Sequence, residues 1–161
     1  MSSRTTDILP RILVVLVVAL VGVAAFYVVW PQLQPHATLR IGDGVFRAQI
    51  ATTDTARSQG LSGIPQLLPD QALIIAYDSD SKWSVVMKDM SNSFDIVWTD
   101  QNKKIVYIVK NASPTTYPVT YTPNSLARYV IGLPAGTVDN KSIMLNGNAT
   151  FDVTDMGGPN L

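Results

Sequence analysis

From Ile12 to Trp30 the chain carries nineteen consecutive residues with no charge, no amide and no proline. A helix of that length rises about 28 Å, close to the hydrocarbon thickness of a bilayer. It lacks the polar face of an amphipathic core helix. The run therefore predicts one transmembrane helix over 12–30, with a short segment, 1–11, before it and a single domain after it. Arg4 and Arg11 precede the run, and the first cation after it is Arg40. That asymmetry predicts a cytoplasmic N-terminus and an extracytoplasmic C-terminal domain on a single-pass cell-membrane protein. Tyr27 and Trp30 fall where an interfacial aromatic belt is expected. A cleaved signal peptide is the competing reading, with Val23-Ala24-Ala25 as its small-residue site. The apolar run continues well past an h-region of about 7–15 residues, which favours an uncleaved signal-anchor.

Residues 31–37 hold Pro31 and Pro35 and read as a stiff linker. The remaining stretch of about 125 residues is enough for one domain with its own core. Its acids are all aspartates, and they nearly balance its lysines and arginines. Such a domain lacks the basic footprint of a nucleic-acid binder, so no nucleic-acid partner is expected. The chain has no cysteine, which removes disulfides, thiol catalysis and a lipoprotein anchor. No phosphate-loop or dinucleotide pattern occurs, and no cofactor is expected.

Short apolar runs recur about every ten residues, separated by polar turns. Thr38–Ile41 and Val45–Ala51 flank Gly42-Asp43-Gly44 as a hairpin. Thr53 or Asp54 can cap a short helix through Gln59, which Gly60 stops. Ala72–Tyr77, Trp83–Lys88, Phe94–Thr99 and Lys104–Lys110 read as strands, with Asp78-Ser-Asp80, Ser91-Asn-Ser93 and Asp100-Gln-Asn102 as the turns between them. The stretch 111–122 reads as irregular, Ala127–Leu133 and Ala149–Val153 as strands, Val138–Ser142 as one helical turn, and 155–161 as a tail. The expected fold is mainly β (α+β): a compact small barrel or sandwich over 38–154 with one or two short helices, following the N-terminal transmembrane helix.

Five segments in order carry a resemblance: Ala56-Arg57-Ser-Gln-Gly60-Leu61, Leu73–Tyr77, Met87-Lys88-Asp89-Met90, Phe94–Asp100 and Ala127–Gly136. Together they resemble the DUF192 family, over roughly Val45 to Val153. The resemblance implies a compact strand-rich fold of about one hundred residues, often behind a signal or anchor segment, and no established activity. The chain departs from the family pattern at four places. Ala56 replaces an acid, Ser62 replaces a methionine, Asp89-Met90 replaces Asn-Thr, and Gly132 replaces an acid.

His36 is the lone histidine and lies in the linker, so neither a Ser-His-Asp triad nor a histidine metal site is expected inside the domain. The turn aspartates lack calcium-loop spacing, and no metal is expected. The candidate binding residues are Arg57, Lys88, Asp89 and Asp95. If Trp83–Lys88 and Phe94–Thr99 form a hairpin, Lys88 faces Asp95 near its turn, either as a structural ion pair or as a site. Arg57 offers a guanidinium fork to a ligand anion, or pairs with an aspartate. These residues predict a membrane-anchored extracytoplasmic binding or interaction domain, for an envelope protein or a small polar ligand, with a place in cell-envelope assembly. The alternatives are an enzyme acting on a small polar substrate through Lys88, Asp89 and Asp95, and a structural tether without ligand.

Overall fold

The structure, a computed structural model, describes residues 36–62 and 66–153. The expected transmembrane helix, the segment before it and the 155–161 tail lie outside the described residues. Among the described residues no helix is long and apolar enough to cross a membrane.

Strands β1 (His36–Ile41) and β2 (Gly44–Ala51) form the predicted hairpin. Gly42 turns it at φ +53°, and a Cβ there would lie 2.1 Å from the Lys141 carbonyl oxygen. Helix α1 (Asp54–Gln59) comes next, and its Thr53 side chain accepts a hydrogen bond from the Ala56 N–H, as the cap signal predicts. The chain continues through β3 (Gln71–Ser81), β4 (Val85–Val86), β5 (Phe94–Thr99) and β6 (Ile105–Ala112). A 3-10 turn at Pro114–Thr116 leads to β7 (Thr120–Tyr121), and β8 (Ala127–Pro134), α2 (Thr137–Asn140) and β9 (Ala149–Thr150) complete the described chain. β1 begins at His36, two residues before the strand read from Thr38.

Seven strands make one sheet in the order β6-β5-β8-β3-β2-β1-β9, and β4 and β7 make a second, two-stranded one. Every pairing in the large sheet is antiparallel except β2 with β3. The sheet curls so far that its ends approach. The Ile105 N–H donates to the Gly147 carbonyl at 2.8 Å, and the Ala149 N–H to that of Lys103 at 2.9 Å. A mainly β fold with two short helices thus holds, in the form of a curled half-barrel.

Alternate residues of the central strands feed two cores. Ile74, Val97, Ile131 and Leu133 join Leu39, Ile41 and Phe46 on one face. Leu73, Ile75, Ile96, Trp98 and Val130 join Leu61, Met87 and Phe94 on the other. Burial on both faces explains why β5 is buried at every position, and why these runs read as continuous apolar stretches without alternation.

Two expectations fail here. Asp78-Ser-Asp80 is not a turn, because β3 runs on to Ser81 and pairs that residue with Ala127 of β8. The hairpin expected between Trp83–Lys88 and Phe94–Thr99 does not form either. β4 is two residues long and pairs with β7, while β5 lies between β6 and β8. β5 is buried at every position between β6 and β8, and the segment before it pairs instead with β7.

Candidate functional site

A cleft of about 470 Å³ opens on the second core's face of the sheet. Its apolar surface comes from Leu73 and Ile75 of β3, Ile96 of β5, Val130 of β8, and Leu61 just after α1. Arg57 and Ser58 on one side, and Lys88, Asp89 and Met90 on the other, supply its polar and flexible groups. Gly132 belongs to the same surface. A Cβ built on it would meet a Leu61 methyl at 2.6 Å, so Leu61 occupies the space that a side chain on β8 would take.

Arg57 is committed to the fold. Its side chain is 14% exposed, and one guanidinium NH2 reaches Asp54 at 2.8 Å and Asp78 at 3.2 Å. The other donates to the Ala76 carbonyl at 2.9 Å, which ties α1 to β3. The hydrogen bond to Asp54 pushes the Arg57 pKa upward; burial opposes it and the charges of Asp78 and Asp54 reinforce it. Arg57 also lies 5.8 Å from the ring centre of Tyr77, which stacks on Trp83 at 3.8 Å. Burial raises the Tyr77 phenol above its ordinary range, against the pull of Arg57. The aspartates expected in a turn therefore serve as cation partners. Asp78 holds Arg57, and Asp80 holds the Arg128 Nε at 2.6 Å.

Lys88 and Asp89 stand differently. Neither enters an ion pair among the described residues. Their backbone is nevertheless fixed. Met87 is buried beneath them, the Ser62 hydroxyl donates to the Lys88 carbonyl at 3.1 Å, and Asp89 sits at φ +55°, a left-handed conformation that aspartate tolerates better than most residues.

Asp95 does not join them. It is 0% exposed, its Oδ1 accepts the Asn111 N–H at 2.7 Å, and its Oδ2 accepts the Val138 N–H at 2.7 Å. It ties the end of β6 to the first turn of α2, away from the cleft lining. The expected facing of Lys88 and Asp95 is thus corrected: it needed a β4–β5 hairpin that does not exist. Three of the four candidates, Arg57, Lys88 and Asp89, line one cleft, and the fourth is a structural bridge. Sequence reasoning alone misses Tyr77, Leu61 and Gly132 as cleft residues. For Gly132 a signal is present, as a departure from the family pattern. Among the described residues no cluster of three or more potential metal ligands occurs.

The sequence profile of DUF192, described as Uncharacterized ACR, matches residues 37–149. The chain belongs to the DUF192 family. It is similar to a UPF0127 protein of Thermococcus sibiricus, 27% identical over 111 residues that make up 68% of each chain. Two solved structures share the fold at TM-score 0.66. One, from Sinorhizobium meliloti and described as a candidate transcription regulator, is 21% identical over 72% of this chain and 92% of its own. The other is a protein of unknown function from Novosphingobium aromaticivorans, 17% identical over 71% of this chain and 83% of its own. In the cleft, Leu61 fills the place above Gly132, and the Ser62 hydroxyl donates to the Lys88 carbonyl.

Proposed function

We propose that this DUF192 domain is a binding module, held by residues 12–30 at the outer face of a membrane, whose cleft takes a small amphiphilic ligand. The observation that carries the reading is the pairing of an apolar floor with two rim charges that have no ion-pair partner among the described residues. A volume of about 470 Å³ falls within the range of about 300–1,000 Å³ common to small-molecule sites. Acid–base work by Lys88, Asp89 and Asp95 together has less support, because both Asp95 oxygens are bound to backbone N–H groups elsewhere.

Methyl-labelled full-length protein, titrated with a library of small amphiphiles, tests the binding reading. Ligands should shift the methyls of Leu61, Ile75 and Val130 and leave those of Ile41 and Ile143 in the other core unmoved. A library that moves none of the cleft methyls, or moves both cores alike, overturns it. The location is tested by protease treatment of spheroplasts: residues 36–153 should be digested, and full protection would refute the outward orientation.

A further inference from the structure

Resting on the binding reading, we propose that the cleft takes a zwitterion with an apolar body, namely a free apolar or aromatic α-amino acid. Three observations select this class. First, the rim presents one cation and one anion on successive residues, Lys88 and Asp89, which pair neither with each other nor with another group among the described residues. The nearby Arg57 is already matched by Asp54 and Asp78 and adds no free positive charge. A simple anion would gain from Lys88 and be repelled by Asp89, and a simple cation would meet the reverse. An amino acid carries its ammonium and carboxylate on one carbon and satisfies both.

Second, the rim is held in place by the buried Met87, the Ser62 hydrogen bond to the Lys88 carbonyl and the left-handed turn at Asp89. A fixed backbone lowers the ordering cost of pairing with a ligand. Third, the floor is apolar throughout Leu61, Leu73, Ile75, Ile96 and Val130, and Leu61 lies where a side chain at position 132 would project. Such a floor suits a hydrocarbon or aromatic side chain and rejects a charged one.

Calorimetric titration of the full chain with three probes tests the proposal. L-Phenylalanine carries both charges, N-acetylphenylalanine only the carboxylate, and phenylalanine amide only the ammonium. Phenylalanine should bind about threefold more tightly than either, the size of the effect expected from losing one solvent-exposed ion pair. Lys88→Gln should abolish the preference over the amide and keep the preference over the N-acetyl compound. Asp89→Asn should do the reverse. Both side chains are exposed and Asn tolerates the left-handed conformation, so the fold is not at stake. Equal binding of a half-charged probe, or preferences that survive both substitutions, overturns the proposal. If none of the three binds while other amphiphiles shift the cleft methyls, the ligand class fails and the binding reading stands. If nothing shifts those methyls, both fail.

Discussion

Replacing Asp95 should cost this domain more than replacing Asp54, Asp78, Asp80 or Asp89. In Asp95→Asn one oxygen remains to accept an N–H, and an amide NH2 now faces the other donor. One charge-assisted bond, worth about 1.5–3 kcal/mol, is lost, and the surviving bond falls to neutral strength, a further loss of about 1 kcal/mol. The expected destabilisation is about 3 kcal/mol. Asp95→Ala strands both the Asn111 and Val138 N–H groups and should cost roughly 4–6 kcal/mol. Domains commonly have only about 5–15 kcal/mol of stability, so the alanine variant stands near the limit of folding and the asparagine variant is the informative one. Urea unfolding followed by circular dichroism reads it. With a slope of about 1.5 kcal/mol per molar, the midpoint should fall by about 2 M. Hydrogen exchange should also show the amides of Asn111 and Val138 losing protection ahead of the rest. Adding Lys88→Ala supplies the internal control: the two effects should sum to within about 0.5 kcal/mol, since the groups do not touch. An Asp95→Asn change below about 0.5 kcal/mol, or a coupling above about 1 kcal/mol, would refute the assignment of Asp95 as a buried bridge separate from the cleft.

The Tyr77 phenol is raised in the folded chain, so its neutral form is favoured there, and the stability it contributes is present below the ordinary tyrosine value of about 10 and lost as pH rises through the raised one. Stability should therefore decline above about pH 10, and Tyr77→Phe should make that decline shallower in urea midpoints taken across the alkaline range; an unchanged slope would contradict it. Thr99 is 0% exposed, and its hydroxyl has no hydrogen-bond partner among the described residues. Thr99→Val, nearly the same shape, should raise stability by about 0.5–2 kcal/mol in the same assay, and a loss above about 1 kcal/mol would mean that the hydroxyl is satisfied.

The local elements are legible in the sequence where the chemistry is local. The Gly42-Asp43-Gly44 turn, the Thr53 cap and the Gly60 stop all act within a few residues, and the structure places them as read. Strand existence is legible from apolar runs such as Phe94–Thr99, but strand partners are not. Adjacent runs invite a hairpin, whereas β5 gains more by lying between β6 and β8 with both faces buried. That single pairing decides where Asp95 points. The aspartates at 78 and 80 read as turn formers because Asp-Ser-Asp is polar. Their ion pairs with Arg57 and Arg128 span 21 and 48 residues, and no local pattern announces them. Arg57, Lys88 and Asp89 are reached from their charges, whereas the apolar half of the cleft looks like ordinary core.

The parallel pairing of β2 with β3 carries a consequence for how such a cleft can diversify. Parallel neighbours cannot be joined by a tight turn, so the chain must leave one end of the sheet and return to the other through residues 52–70. That obligatory return path carries Arg57, Ser58, Leu61 and Ser62, one whole wall of the cleft. The topology thus adds to the strand residues Leu73, Ile75, Ile96 and Val130 of the cleft a detour that the scaffold demands anyway. Changes in the detour's length or side chains can reshape the cleft while every strand register stays as it is.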